Sequence, residues 1–215
     1  MGTTRKGING PFRGKVGAVI GSRWRGINYM KGLPRAKSTK RPPTPKQAVQ
    51  RQKFVLLNKL LHRIPGLLDI GFRQFTAAAT SVNAAIQYNF DDAFLNDEGN
   101  LRLNYPALKF SRGSVYPAGE EKAWRESDGI RVTWHPKTYG VGGSFDDRAY
   151  AFAYCPTNDI FMIPAPVMRQ EGMAQILYHG VPVGDELHVW LFFSDSFGKR
   201  ASKTVYIPLS DPPTP

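Results

Sequence analysis

Hydrophobic residues follow two different periods along this chain. From Pro45 to about residue 96, apolar side chains recur at three- to five-residue spacing, which is typical of helices packed on one side. From about residue 103 to residue 209 they alternate every second position, which is typical of half-buried strands. The change of period predicts an α+β protein, with a helical segment over 44–102 and an antiparallel β domain over 103–209.

The first helix is predicted to begin at the stretch TPKQAVQRQKF, residues 44–54. Thr44 is a good N-cap, and Pro45 suits the first helical position because its missing N–H would have no partner inside the helix. Pro65 and Gly66 are expected to end the helix. Its apolar stripe consists of Val49, Phe54, Leu57, Leu61 and Ile64. We expect Phe54 and Leu57, at the centre of the stripe, to be buried.

Two more helical pieces are predicted before residue 96. Ile70, Phe72 and Phe75 indicate the second, and Ser81 is a candidate cap for the third, which extends over 81–94. The sequence NDEGN (96–100) predicts a turn that ends the helical segment.

About seven strands are predicted in the β domain, separated by Pro, Gly, Asn and Asp. They are LKFSRG (108–113), GIRVTWH (129–135), DRAYAFAYC (147–155), DIFMIP (159–164), QILYHG (175–180), ELHVWLFFS (186–194) and KTVYIPL (203–209). In the third, Tyr150, Phe152 and Tyr154 fall on one face with small residues opposite. Short strands at this spacing favour an antiparallel β-sandwich of the immunoglobulin or fibronectin-III-like kind.

The first 43 residues have the composition of an extended arm, because eight glycines alternate with basic side chains and leave little apolar surface for a core. Within this arm, KVGAVI (15–20) and GINYMKG (26–32) are predicted to pair as a small hairpin. LPRAKSTKRPPTP (33–45) is expected to be an extended linker, and residues 210–215 a proline-rich tail.

Charge separates the arm from the rest of the chain. Residues 1–68 contain no Asp or Glu, and residues 1–64 hold 16 of the 29 Lys and Arg, whereas residues 65–215 hold 13 basic and 17 acidic side chains. The formal net charge of +12 therefore originates in the arm and the first helix. A basic arm on a mildly acidic body predicts contact with a polyanion or with an acidic protein surface.

Two partners fit this composition, and the sequence leaves both open. Basic residues interleaved with aromatic ones suit nucleic acid, because they contact phosphates and stack on bases. Glycine-rich basic arms also suit contacts between copies in a homo-oligomer or a larger assembly, and we rank this structural role first. The predicted partner-binding residues are Arg13, Lys15, Val19, Arg23, Trp24, Arg25, Tyr29, Lys31, Arg35 and Arg41.

No residue pattern predicts catalysis, a cofactor or a metal site, so we do not expect an enzyme. Four histidines are scattered without metal-ligand spacing, and Cys155, the single cysteine, ends a tyrosine-rich strand where a buried thiol is the usual state. A pairing of Cys155 with His135 or His188 as base is the weaker interpretation. The acidic pairs Asp91–Asp92, Glu120–Glu121 and Asp146–Asp147 fall near the ends of predicted elements or in turns, where solvated carboxylates are normal. A glycosidase that uses paired carboxylates is the weaker interpretation of these pairs.

The sequence shows neither a secretory signal nor an apolar run of the ~18 residues that a membrane span needs. We therefore expect a cytoplasmic protein, or one associated with a virion or other particle, that has no membrane partner.

Several motifs together carry a resemblance to a known group of proteins. They are the glycine-rich basic start through GINYMKGLPR, the helix TPKQAVQRQKF with Gln47, Gln50, Arg51 and Phe54, the spacing of Asn83, Ala85 and Asn89, and the pieces LKFSRGSV and RVTW. This layout resembles an uncharacterised family of Bacteroidota and related phage genomes. The resemblance covers most of the chain and implies the same architecture and a particle or assembly setting, without an assigned activity.

Overall fold

The computed structural model describes residues 10–24, 26–33, 42–77, 79–97, 100–138, 142–178 and 185–210, together with the strand at residues 3 and 4. The chain divides into two compact units, Met1–Thr44 and Pro45–Pro215. The second unit contains both the helical segment and the β domain. Residues 34–41 of the predicted linker and residues 211–215 of the predicted tail lie outside the described residues.

The first unit contains a four-stranded antiparallel sheet. Its strands, in chain order and in sheet order, are β1 (Thr3–Thr4), β2 (Phe12–Val16), β3 (Val19–Trp24) and β4 (Ile27–Gly32). The predicted pairing within the arm is present, but its boundaries are wrong: KVGAVI itself turns at Gly17, which has a φ of +55°, and the residues predicted as a loop, GSRWR, belong mostly to β3. A left-handed backbone at this turn favours glycine over other residues.

The second unit begins with three helices. They are α1 (Pro45–Leu61), α2 (Pro65–Gly71) and α3 (Ser81–Asn89). The predicted start of α1 at Pro45 is confirmed, whereas Pro65 opens α2 at a position where proline needs no N–H partner. The cap of α3 is Thr80, whose side chain accepts a hydrogen bond from the backbone of Asn83 at 3.2 Å. Ser81 is therefore the first helical residue, and its hydroxyl donates to Asp69.

In the described residues of the second unit, eleven strands follow the helices. They are β5 (Phe94–Asp97), β6 (Asn100–Leu103), β7 (Lys122–Arg125), β8 (Gly129–Thr133), β9 (Arg148–Cys155), β10 (Ile160–Met162), β11 (Val167–Met168), β12 (Met173–Leu177), β13 (His188–Ser194), β14 (Val205–Ile207) and β15 (Leu209–Ser210). One sheet has the order β10-β9-β13-β14, with β11 also on β9, and another has the order β12-β8-β7-β15. The pairs are antiparallel except β15 with β7. The α+β prediction with mostly antiparallel sheets is confirmed.

Two hydrophobic cores lie on opposite faces of the sheet that contains β9 and β13. On one face, alanines of β9 and residues such as Val189 and Leu191 pack against Ile130 and Val132 of the other sheet, which makes a sandwich core. On the other face, Phe152 and Trp190 pack against the helices. The alternation of large and small residues in β9 is therefore a signal for two different buried layers.

The stretch 108–113, predicted as a strand, is irregular. Side chains bind three of its backbone amides: Lys109 N donates to Asn89 Oδ1 at 2.8 Å, and the amides of Phe110 and Ser111 donate to Thr204 Oγ1 at 2.9 and 2.8 Å. The amide of Arg112 donates to the carbonyl of Gly71 at 2.9 Å. Asn89 is fully buried and also donates to the carbonyl of Lys109 at 2.7 Å. Because Phe110 is thereby fixed between the helices and the sheet, this stretch joins the layers.

The burial predicted for the centre of α1 is half correct. Leu57 is fully buried, but Phe54 is 48% exposed, so its predicted burial is wrong. The buried part of α1 is its C-terminal half, where Leu57, Leu60 and Leu61 face the helical core. In the described part of the chain, no helix is long and apolar enough to cross a membrane.

Candidate interaction surface

The candidate surface is the sheet of the first unit, because it collects most of the residues predicted to bind a partner. Arg13 and Lys15 lie in β2, Val19, Arg23 and Trp24 in β3, and Tyr29 and Lys31 in β4. The remaining predicted residues, Arg25, Arg35 and Arg41, lie outside the described residues.

The strand register decides which of these side chains share a face. Directly paired residues point to the same side of a sheet, and successive residues point to opposite sides. Ile20 of β3 pairs with Lys15 of the neighbouring strand β2 and with Lys31 of the neighbouring strand β4. Tyr29 pairs with Ser22, and Trp24 pairs with Ile27. One face therefore carries Lys15, Lys31, Trp24 and Tyr29 together with two isoleucines, and we call it the basic face.

The opposite face combines apolar side chains with glycines, and we call it the apolar face. Val19 pairs with Val16, and Met30 pairs with Gly21. Gly21 is buried under Phe12, since a Cβ at this position would approach the Phe12 ring to 2.7 Å. Arg23 also lies on this face, opposite Asn28, so the structure separates it from Lys15 and Lys31.

Apolar groups of both faces are open to solvent. Ile27 is 65% exposed on the basic face, and Met30 is 72% exposed on the apolar face. An open cavity of about 260 Å³ lies at one end of the sheet, lined by Gly10, Pro11, Phe12, Asn28, Tyr29 and Met30. Ile27 and Met30 are missing from the sequence prediction, although the alternation in INYMKG is a signal for them.

In the body, Cys155 and His188 do not form a catalytic pair. Cys155 belongs to the sandwich core, whereas His188 contacts aromatic rings on the helical side of the same sheet. The thiol of Cys155 lies 3.6 Å from Asp185 Oδ2. His135, the other histidine considered as a base, lies beyond β8, where its Nδ1 accepts from the backbone of Lys137 at 3.3 Å.

His188 is the centre of a buried aromatic and polar cluster. Its ring stacks on Tyr105 with centroids 4.3 Å apart, and its Nδ1 lies 3.1 Å from the Tyr206 hydroxyl. Burial lowers the pKa of His188, although Glu186 acts in the opposite direction, and burial raises the pKa of Tyr105 and of Tyr206. Burial of this cluster therefore favours the uncharged form of all three groups.

An ion-pair network continues this cluster toward α1. Tyr154 donates to Asp159 Oδ1 at 2.7 Å, and Arg63 and Lys59 lie 2.6 and 3.5 Å from the other carboxylate oxygen. The hydrogen bond from Tyr154 lowers the pKa of Asp159, while burial and this hydrogen bond raise the pKa of Tyr154. These contacts fix α1 to the turn between β9 and β10.

The acidic pair Asp146–Asp147 is divided between two environments. Asp147 is 3% exposed and bound to Arg169, whereas Asp146 is exposed, although both line an open cavity of about 430 Å³ beside Asp195 and Phe197. A hydrogen bond with Ser144 lowers the pKa of Asp146. Among the described residues, no three His, Cys, Asp or Glu side chains are grouped so as to hold a metal ion.

Comparison with known proteins gives a family but no activity. No curated protein matches the sequence. A human structure, the fn3 domain of the collagen alpha-1(XX) chain, is 14% identical with a TM-score of 0.34, over 49% of this chain and 95% of that domain. A family model described as a family of unknown function, DUF6266, matches residues 11–208. The chain therefore belongs to the family of unknown function DUF6266.

Proposed function

We propose that this protein is a structural or assembly protein whose N-terminal sheet binds other copies or a larger scaffold. The observation that carries the proposal is the exposure of apolar side chains on both faces of that sheet. Val16 is 51% exposed and Met30 72% exposed on the apolar face, and Ile27 is 65% exposed on the basic face. Exposed apolar groups gathered on one element are typical of interaction surfaces.

A physical argument supports a protein partner over an isolated sheet. Small sheets are marginally stable in water unless a hydrophobic face packs on another layer. Among the described residues of β2, β3 and β4, Gly21 alone is buried, and the residue that covers it is Phe12 of the neighbouring strand. A partner that covers the sheet supplies the missing layer, and the acidic excess of residues 65–215 makes a second copy electrostatically suitable.

Deleting residues 1–43 tests the assembly role. We expect the full chain to elute as a species larger than the 24.0 kDa monomer, and the shortened chain to be monomeric. Size-exclusion chromatography with light scattering measures both. Because the compact second unit begins at Pro45, we expect thermal unfolding of the shortened chain to remain cooperative. A full chain that is monomeric at every concentration and in native lysate contradicts the proposal.

Nucleic-acid binding is the second candidate, since Lys15, Lys31, Trp24 and Tyr29 share the basic face. Cations beside aromatic rings can bind phosphates and stack on bases. Replacing Lys15 and Lys31 with glutamine is then expected to reduce the slope of log K against log salt by about 0.9 per lost phosphate contact on duplex DNA. Fluorescence anisotropy with labelled single and double strands measures this slope. An absence of binding at physiological salt removes this candidate.

We also propose that the sandwich is of the immunoglobulin or fibronectin-III-like type. Strands β7, β8 and β12 share one sheet, and strands β9, β10, β13 and β14 share the other. In chain order, these seven strands correspond to the first, second and fifth in one sheet and the remaining four in the other. Immunoglobulin domains distribute strands A, B and E and strands C, F and G in this way.

A cytoplasmic or particle-associated location, including a phage-derived particle, fits an assembly role.

A further inference from the structure

The described strands of the sandwich form four edges, and these edges differ in how they are protected. Exposed edges pair with other chains unless proline, charge, a bulge or short length prevents it. Pro164 and Pro166 interrupt the edge formed by β10 and β11, Pro208 follows β14 directly, and β15 has only two residues. β12 has the sequence MAQIL, without proline or charge, so it is the least protected edge of the sandwich.

The side chains of β12 leave this edge accessible. Ala174 and Ile176 point into the sandwich core, whereas Met173 and Leu177 are 40% and 53% exposed. In the described part of the chain, β12 pairs with β8 alone, so its other edge presents backbone N–H and C=O groups. A further strand on this side would satisfy those groups and cover both exposed side chains.

A strand with matching properties is β4 of the N-terminal sheet. It contains six residues, all of them exposed, and within the described residues it pairs with β3 alone. Its exposed Ile27 and Met30 are apolar, as are Met173 and Leu177. Both strands therefore combine an open backbone edge with uncovered apolar side chains.

Charge also favours a contact between β4 and β12. β4 carries the basic residue Lys31, and it belongs to the first 64 residues, which contain basic side chains but no Asp or Glu. Beside β12, the carboxylate of Asp128 is exposed and lies 3.4 Å from the side-chain amide of Gln175. Opposite charges on the two edges favour encounter and help to fix the partner.

We infer that β4 of one copy adds to β12 of a second copy and extends the sheet β15-β7-β8-β12. The inference rests on the proposed assembly function and specifies its contact. The added strand places Ile27, Tyr29 and Lys31 on one face of the extended sheet and Asn28 and Met30 on the other, because side chains alternate along a strand. Main-chain hydrogen bonds supply affinity, and the alternate side chains supply specificity.

Crosslinking between two full-length variants tests this contact. Tyr29→Cys and Gln175→Cys proteins are mixed and treated with a short bismaleimide, while Cys155 is fully buried and does not compete. We expect crosslinked dimers in the mixture at a yield about tenfold above that of either variant alone, since only the mixture juxtaposes the two cysteines. The matched control mixes Tyr29→Cys with Ile160→Cys in place of Gln175→Cys. Ile160 lies in an edge strand of the other sheet and is 47% exposed, so we expect this mixture to give only the background yield of crosslinked dimer.

Self-crosslinking of Gln175→Cys alone would show that β12 pairs with β12 of the second copy and overturn the inference. Equal yields with Ile160→Cys would overturn it as well. If light scattering shows assembly of both variants but the mixture gives no crosslink, the contact is wrong while the assembly function stands. If neither the variants nor the natural chain assembles, both fail.

A second measurement uses charge on the same edge. The double substitution Met173→Lys and Leu177→Lys protects the edge and repels Lys31, so we expect assembly to weaken by about tenfold or more. The matched control, Ile160→Lys with Met168→Lys, changes two side chains that are 47% and 49% exposed and should leave assembly unchanged. Unchanged assembly of the β12 variant, with natural thermal stability in both, would contradict the inference.

Discussion

Replacing Arg169 with methionine lowers the free energy of unfolding by about 3–5 kcal/mol, because the substitution leaves the Asp147 carboxylate buried without its counter-charge. Arg169 is fully buried, and its guanidinium lies 3.2 Å from Asp147 Oδ2. It also donates to the Tyr116 carbonyl at 2.6 Å and lies 3.9 Å from the centre of the Phe193 ring. Burial lowers the pKa of Arg169, and Asp147 acts in the opposite direction.

Chemical denaturation of Arg169→Met and of a variant at a partly exposed, ion-paired arginine measures the effect. Arg131 donates to Glu126 at 3.0 Å with 36% of its side chain exposed, so Arg131→Met should change the free energy of unfolding by less than about 1 kcal/mol. The double variant Arg169→Met with Asp147→Asn should recover part of the loss, because no unpaired charge remains. Equal losses for the two single arginine variants would contradict this account.

The second large effect is expected at Leu57. Leu57→Ala should lower the free energy of unfolding by about 2–5 kcal/mol, since it removes a fully buried side chain and leaves a cavity between α1 and the helical core. Phe54→Ala, one turn earlier on the same helix, should lower it by about 0.5 kcal/mol or less, because Phe54 is 48% exposed.

Thermal and denaturant unfolding of the two variants in parallel test this difference. Both substitutions replace a large apolar residue by alanine in α1, so helix propensity contributes little to the comparison. A loss at Phe54 as large as that at Leu57 would show that the N-terminal half of α1 is covered in solution.

Period and spacing predicted the start of α1 and the faces of β9, but the third helix ends at Asn89 instead of residue 94, and β5 and most of β6 lie inside the segment predicted as helical. The proline at position 45 marks the start of α1, and the alternation in DRAYAFAYC places Tyr150, Phe152 and Tyr154 on one face of β9. These predictions are confirmed because they depend on neighbouring residues and on the geometry of a single element.

Long-range pairing explains where the predictions failed. The alternation in LKFSRG resembles that of a strand, yet its backbone is held by Asn89 and Thr204, which are 20 and 94 positions from the residues they bind. The ion pair of Arg169 with Asp147 joins residues 22 positions apart, and neither position has a sequence signal for burial. Such contacts exist only once the layers have packed.

For the N-terminal sheet, composition and spacing alone indicate the charge, the glycine turns and the apolar residues of β3 and β4. The register, and with it the separation of Lys15 and Lys31 from Arg23 on opposite faces, depends on how the strands pair in the folded chain. The packing of the helices on one face of the β9–β13 sheet, and an edge of β12 that no described strand pairs, depend on tertiary structure as well. A shift of one residue in register moves every side chain to the other face, and composition does not encode that choice.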